Sequence, residues 1–266
     1  MKLILNQVRK KIAYTSRFKK DLPVQRRHSD VYLVSYPASG VTWLCHILAN
    51  INVEMSGIDR SVTFYNYDQF VPDIHISRDI YDLPTSYPGF RIIKSHSNFN
   101  PYYKNVIYLI RSPYGAMKSY YRFSKYHANF KGNLIDFVKN KELGIESWIK
   151  HTQNWLTHPS LNLHLLTYEG LRQDSINELL RLFNKLGLKI NHDILNKAVE
   201  LSSLENMEKS EQDFINDSPG YQYQFVGDGS IENEIDEEAK KLIFHTSKRV
   251  YEEILYEKYN DDFSLK

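Results

Sequence analysis

Among 266 residues there is a single cysteine, Cys45. One thiol cannot close an internal disulfide, which excludes a secreted, disulfide-stapled scaffold. No apolar run is long enough to cross a bilayer. Net charge is scarce as well. The 34 basic side chains stand against 32 acidic ones and leave +2. That is too little to argue for nucleic acid as a partner. No compact set of His, Cys and acidic residues has ligand spacing, so no metal is expected. No repeat and no low-complexity tract breaks the chain.

What remains is an ordinary globular composition, 42% hydrophobic and 25% charged. The length suits one large α/β domain, which would bury roughly three quarters of its unfolded surface. The one local charge anomaly is a basic arm from Met1 to Arg27, with Ile4, Val8 and Ile12 on one helical stripe. Such a helix docks on the domain or, as the less favoured reading, makes peripheral membrane contact. Its apolar start is too short for a signal peptide and runs into Arg9, Lys10 and Lys11. A cytoplasmic protein is expected, with arm 1–27 and domain 28–266.

The pattern along the chain alternates. Strands are expected at Val31–Tyr36, Phe90–Lys94, Val106–Ile110 and Leu163–Thr167. Helices are expected at Thr42–Ile51, from Pro113 to about Tyr126, and at Leu134–Asn140, Ile145–Thr157, Ser175–Leu186, Asp193–Leu201 and Asp236–Tyr259. Ser112 and Pro113 form a good helix start. Alternating strands and helices imply a single α/β domain whose central parallel sheet is flanked by helices. The segments Asn52–Pro88 and Ser210–Glu234 lack a clear pattern. They are binding loops or local structure without a readable period.

Three strand ends carry chemistry. After the first comes Tyr36-Pro37-Ala38-Ser39-Gly40-Val41-Thr42-Trp43. A strand before it and a helix after it aim backbone N–H groups at one point, which favours an anion. Gly40 permits close approach, and Ser39 and Thr42 add hydroxyl donors. It is P-loop-like, yet it lacks the Gly-Lys-Ser/Thr ending of nucleoside triphosphatases and is no dinucleotide fingerprint. After the third strand come Arg111 and, eight residues on, Ser119-Tyr120-Tyr121. A planar guanidinium can bond two phosphate oxygens at once. At the second strand end stand Lys94-Ser95-His96. Lys94 and His96 share a side if the chain stays extended.

Together these segments resemble the sulfotransferase family that uses 3′-phosphoadenosine 5′-phosphosulfate (PAPS) and leaves PAP. The family carries a Tyr-Pro-Lys-Ser-Gly-Thr-Thr-Trp type turn where the 5′-phosphosulfate binds, an arginine and a serine for the 3′-phosphate, and a Lys-Thr-His strand end. The resemblance covers roughly residues 30 to 240. It implies that Ala38, Ser39, Gly40, Val41, Thr42 and Trp43 hold the 5′ end and the adenine. Arg111 and Ser119 would hold the 3′-phosphate, and Tyr168 of Tyr168-Glu169 would contact the nucleotide. His96 would be the general base and Lys94 its electrostatic partner.

Two departures stand out. Ala38 replaces the family's lysine, and Lys94 is the cation left to act there. The closing motif is reduced to Val226-Gly227-Asp228-Gly229, without the basic pair and with Ile231 for tryptophan. Gly227 would then meet the 3′-phosphate through backbone N–H groups. The expected reaction moves a sulfuryl group to a hydroxyl, or less readily an amine, of a small-molecule acceptor. The alternatives are a nucleotide-dependent phosphotransferase and a non-catalytic nucleotide binder of the same fold.

Overall fold

The computed structural model describes residues 18–63, 65–80, 87, 90–158, 162–218, 226 and 237–250. Four parallel strands form one sheet: β1 (Val31–Ser35), β2 (Ile92–Ser95), β3 (Asn105–Ile110) and β4 (Asn162–Thr167), in the order β2-β1-β3-β4. Eight α-helices lie among the described residues. They are α1 (Val41–Ser56), α2 (Pro113–His127), α3 (Leu134–Lys139), α4 (Ile145–Leu156), α5 (Tyr168–Lys185), α6 (His192–Leu201), α7 (Leu204–Asp217) and α8 (Glu237–Val250).

Alternation along the strands sorts the core into two layers. Val31, Leu33, Ile92, Ile107 and Leu109 face α1, α5 and α6. Tyr32, Val34, Ile93, Val106, Tyr108 and Ile110 face α2, α3, α4 and α8. The register is Leu33 opposite Lys94 on one side and Ile107 on the other. Strands buried on both faces read as near-continuous apolar runs, which makes β1 and β3 plain in the sequence, while β2 includes Lys94 and β4 includes His164 and an exposed Asn162.

The order matters for function. The chain leaves β1 toward a helix on one face and leaves β3 toward a helix on the other. Between the carboxyl ends of these neighbouring strands lies a topological switch point, where open parallel sheets form a crevice.

Three departures from the sequence reading have physical causes. Helix α5 begins at Tyr168 rather than Ser175, with non-helical backbone at Asp174 (φ −151°, ψ 77°). The Asp174 carboxylate caps Asn177 N–H at 3.1 Å, so the second half of α5 carries its own start signal. Helix α7 occupies part of the stretch without a clear period. Its buried positions are Met207 and Glu211, and a buried glutamate breaks the apolar stripe that marks a helix. The Asn52–Pro88 stretch holds the end of α1, a short 3₁₀ turn at Tyr67–Gln69 and an added parallel pairing of Asp73 with Lys94. The basic arm before residue 18, and the part of the expected Asp236–Tyr259 helix beyond Val250, lie outside the described residues.

Candidate active site

Pro37–Gly40 turns the chain from β1 into α1. Ala38 has φ +62° and Gly40 has φ +86°. A left-handed residue is routine for glycine and uncommon for alanine. At Gly40 a Cβ would fall 2.4 Å from the Tyr168 ring, so only glycine fits between turn and ring. No side chain caps the start of α1. Its first-turn N–H groups therefore look into the crevice with the helix dipole behind them. Ser39 is fully buried, and its hydroxyl finds no partner among the described residues. Val41 packs into the core below, and Thr42 and Trp43 are half-buried. The Trp43 indole N–H donates to the Ser202 carbonyl at 2.9 Å, and its ring meets Tyr168 edge-on at 5.9 Å.

Arg111, at the end of β3, crosses to this turn. It is 5% exposed. Its Nη1 donates to the Ala38 carbonyl at 3.2 Å, and its guanidinium lies 4.2 Å from the centre of the Tyr168 ring. Gly115 makes room, since a Cβ there would fall 2.6 Å from Arg111 Nε. Burial lowers the Arg111 pKa against the opposing pull of Tyr168 and Glu169. No ion pair engages its charge among the described residues, so the remaining donors of the fork suit an added anion. Ser119 stands one helical turn beyond Gly115 on α2 and is half-buried.

At the end of β2 the two candidates Lys94 and His96 part company. The strand stops at Ser95. Lys94 points to the α1 side, where its ammonium pairs with Asp73 at 3.0 Å and reaches the Tyr67 hydroxyl at 3.4 Å. The His96 Nδ1–H donates to the Ser35 carbonyl at 3.0 Å, which leaves Nε2 with its lone pair free. Burial, then the Lys94 charge, lower the His96 pKa to about 4, so the ring is a neutral base near pH 7. The backbone on either side of His96 is held too. Its own N–H donates to His75 Nε2 at 3.0 Å, and the Ser97 carbonyl accepts from His151 Nε2 and Trp155 Nε1, each at 3.1 Å.

Comparison with known proteins adds the family. The sulfotransferase domain model matches residues 28–255. This chain belongs to the sulfotransferase family. Mouse Sulfotransferase 4A1 is 28% identical over 194 residues, covering 68% of this chain and 66% of that protein. Rat Sulfotransferase 2A6 is 28% identical and covers 69% and 68%. The chain thus spans about two thirds of the length of these relatives. Among solved structures, mouse sulfotransferase SULT7A1 complexed with PAP superposes with a TM-score of 0.60 at 17% identity, covering 88% of this chain and 87% of that one. Retinol dehydratase in complex with retinol and PAP gives 0.64 at 16% identity, covering 90% and 84%. At such identities these likenesses speak for the fold.

Within this sulfotransferase-family chain, the structure brings Ala38–Trp43, Arg111 and Tyr168 into direct contact and sets Lys94 and His96 beside them. Gly227 lies outside the described residues. Its neighbour Val226 donates its N–H to Glu211 on α7 at 3.0 Å. Sequence reasoning passed over Asp73 and His75. They belong to an aperiodic stretch and meet Lys94 and His96 only through the fold, across some twenty residues of chain. No local spacing could have announced them.

Proposed function

We propose that this chain transfers a sulfuryl group from PAPS to a hydroxyl, or less readily an amine, of a small-molecule acceptor, and releases PAP. One observation carries the reading. At the switch point, uncapped N–H groups, a buried Ser39 hydroxyl and Arg111, the latter two without a hydrogen-bond partner and an ion pair respectively among the described residues, come together at the β1–α1 turn. A doubly phosphorylated nucleotide answers all three needs.

PAPS, when bound, supplies the sulfuryl group and leaves as the bisphosphate. The Ser39–Trp43 turn holds its 5′ end, with Trp43 and Tyr168 as aromatic walls for the adenosine. Arg111 and Ser119 hold the 3′-phosphate, helped by backbone near Gly227. His96 Nε2 takes the proton of the acceptor hydroxyl as the oxygen meets sulfur. A positioned base of this kind is worth roughly 10²- to 10⁴-fold in rate. Lys94 offsets charge on the released phosphate oxygen, in the place of the cation that Ala38 lacks. Among the described residues no helix is long and apolar enough to cross a membrane. The working unit is residues 28–266 preceded by the basic arm, acting in the cytoplasm.

A labelled-PAPS screen against hydroxyl-bearing acceptors tests the reading, with His96→Ala as control. Turnover should drop at least about 100-fold in the variant while PAP affinity is kept. Loss of both in equal measure would mean that His96 only supports the fold.

A further inference from the structure

A carboxylate that no motif announces stands behind Lys94. Residues 72–74 run alongside β2: Lys94 N–H donates to the Pro72 carbonyl at 2.8 Å, and Ile74 N–H to the Lys94 carbonyl at 3.1 Å. This pairing delivers Asp73 to the Lys94 ammonium, and each residue is 7% exposed. The two carboxylate oxygens divide their work. Oδ2 accepts from Lys94 Nζ at 3.0 Å, and Oδ1 accepts the His75 N–H at 2.9 Å. His75 Nε2 in turn accepts the His96 N–H at 3.0 Å. One buried carboxylate is thus joined to the ammonium directly and to the His96 backbone through one intervening residue.

An ammonium has three N–H donors. Asp73 takes one, and Tyr67 takes another. The third has no partner among the described residues. A buried ion pair is weak evidence of a stabilising device, because desolvation offsets most of the attraction. Its position beside the phosphate turn calls for another reason.

We propose that Asp73 is a positioning residue for sulfuryl transfer, which keeps Lys94 charged inside the fold, directs its third proton toward the phosphate turn, and steadies His96 through His75. The inference rests on the roles given to Lys94 and His96 above.

The groups facing Lys94 are Tyr67 and Asp73 from the 65–75 stretch, Cys45 from α1, and His96 beyond the strand end. Burial pushes the Cys45 thiol up to about 12. Burial likewise raises the Tyr67 hydroxyl. His96 sits near 4 and is neutral. Burial would raise the Asp73 carboxyl, but Lys94 and the His75 N–H outweigh it and hold it below the ordinary range. At neutral pH Asp73 is therefore the one anion of this set. For Lys94, burial acts to lower the pKa, and Tyr67 and Asp73 outweigh it, so the ammonium persists to high pH. Without the Asp73 charge, burial loses its main neutral-pH opponent and the proton leaves at lower pH.

The test is PAP binding by calorimetry on the full chain from pH 6.5 to 9.5, in buffers of differing ionisation enthalpy. The wild type should bind with no proton uptake linked to Lys94. Asp73→Asn should take up a proton on binding PAP at pH 9 and lose about tenfold in affinity per pH unit above the lowered pKa. Asp73→Glu keeps the charge and should restore the wild-type profile. A purely structural Asp73 would lower thermal stability in Asp73→Asn while leaving the affinity profile parallel to wild type, and that result overturns the proposal. Should Asp73→Asn fail to fold, Asp73→Glu decides alone. A wild-type pH profile with turnover slowed about tenfold supports the proposal, and unchanged turnover overturns it. Lys94→Met separates the two levels. If it binds PAP and turns over like wild type, the role of Lys94 itself is wrong. If it is impaired while Asp73→Asn keeps the parallel profile, only the Asp73 inference falls.

Discussion

Ser39 leaves a hydroxyl buried and, among the described residues, unbonded in the turn between β1 and α1. An unsatisfied buried polar group costs about 1–3 kcal/mol. Ser39→Ala should therefore raise the unfolding midpoint of the free protein, by about 1 kcal/mol in stability, while weakening PAP binding about tenfold. Denaturant titration and calorimetry on the same variant read both effects. A loss of stability with PAP affinity intact would make the serine a core residue. Arg111 follows a related logic. Lysine there keeps the charge but gives up the planar fork and the stack on Tyr168, so Arg111→Lys should weaken PAP about 100-fold. Single-residue roles were legible in unequal measure. Ser39, Gly40, Arg111 and His96 stand beside strands that any reader of the sequence would find. Asp73 and Tyr67 gain their meaning from packing across the sheet, and no local pattern carries that.

Elements show the same division. Strands β1 and β3 were legible because burial on both faces makes them near-continuous apolar runs, and α1 because its apolar residues recur at helical spacing. Helix α7 was hidden because it turns Glu211 inward to hold Val226. The entries of β1 and β2 are locked by another buried pair. Arg91 bonds Asp30 at 2.7 Å through Nε and at 3.1 Å through Nη2, and it also reaches the Ile80 and Gln25 carbonyls. Each partner is 2% exposed at its side chain. Removing one member leaves an uncompensated buried charge. Asp30→Ala should thus destabilise by about 3–5 kcal/mol, seen as a lower urea midpoint. A change under about 1 kcal/mol would mean that water reaches Arg91 once the aspartate is gone.

For the whole molecule, acid is the expected weakness. His46 and His151 are buried in hydrogen-bonded networks, and burial lowers their pKa values to about 4 and about 3. Both sit below the unfolded value of 6.5, so the unfolded chain binds more protons. Stability is then whole above pH 6.5 and is lost as pH falls toward 4. Each histidine contributes a slope of about 1.4 kcal/mol per pH unit in that window. Against a total of about 5–15 kcal/mol, the pair should bring steep acid unfolding below pH 5. Urea midpoints that stay level from pH 7 to 4 would contradict this. The parallel sheet was implied by the alternation of strands and helices and the site by the strand ends that carry its residues, whereas the order that makes the switch point comes from the fold.

The central claim is one crevice that grips PAP at both ends. A crystal structure with PAP tests it most directly. The 5′-phosphate should rest on the N–H groups of residues 39–42, and the 3′-phosphate on Arg111 and Ser119, with His96 Nε2 facing the open 5′ end. PAP bound elsewhere, or bound with Arg111 turned away from its 3′-phosphate, would contradict the account.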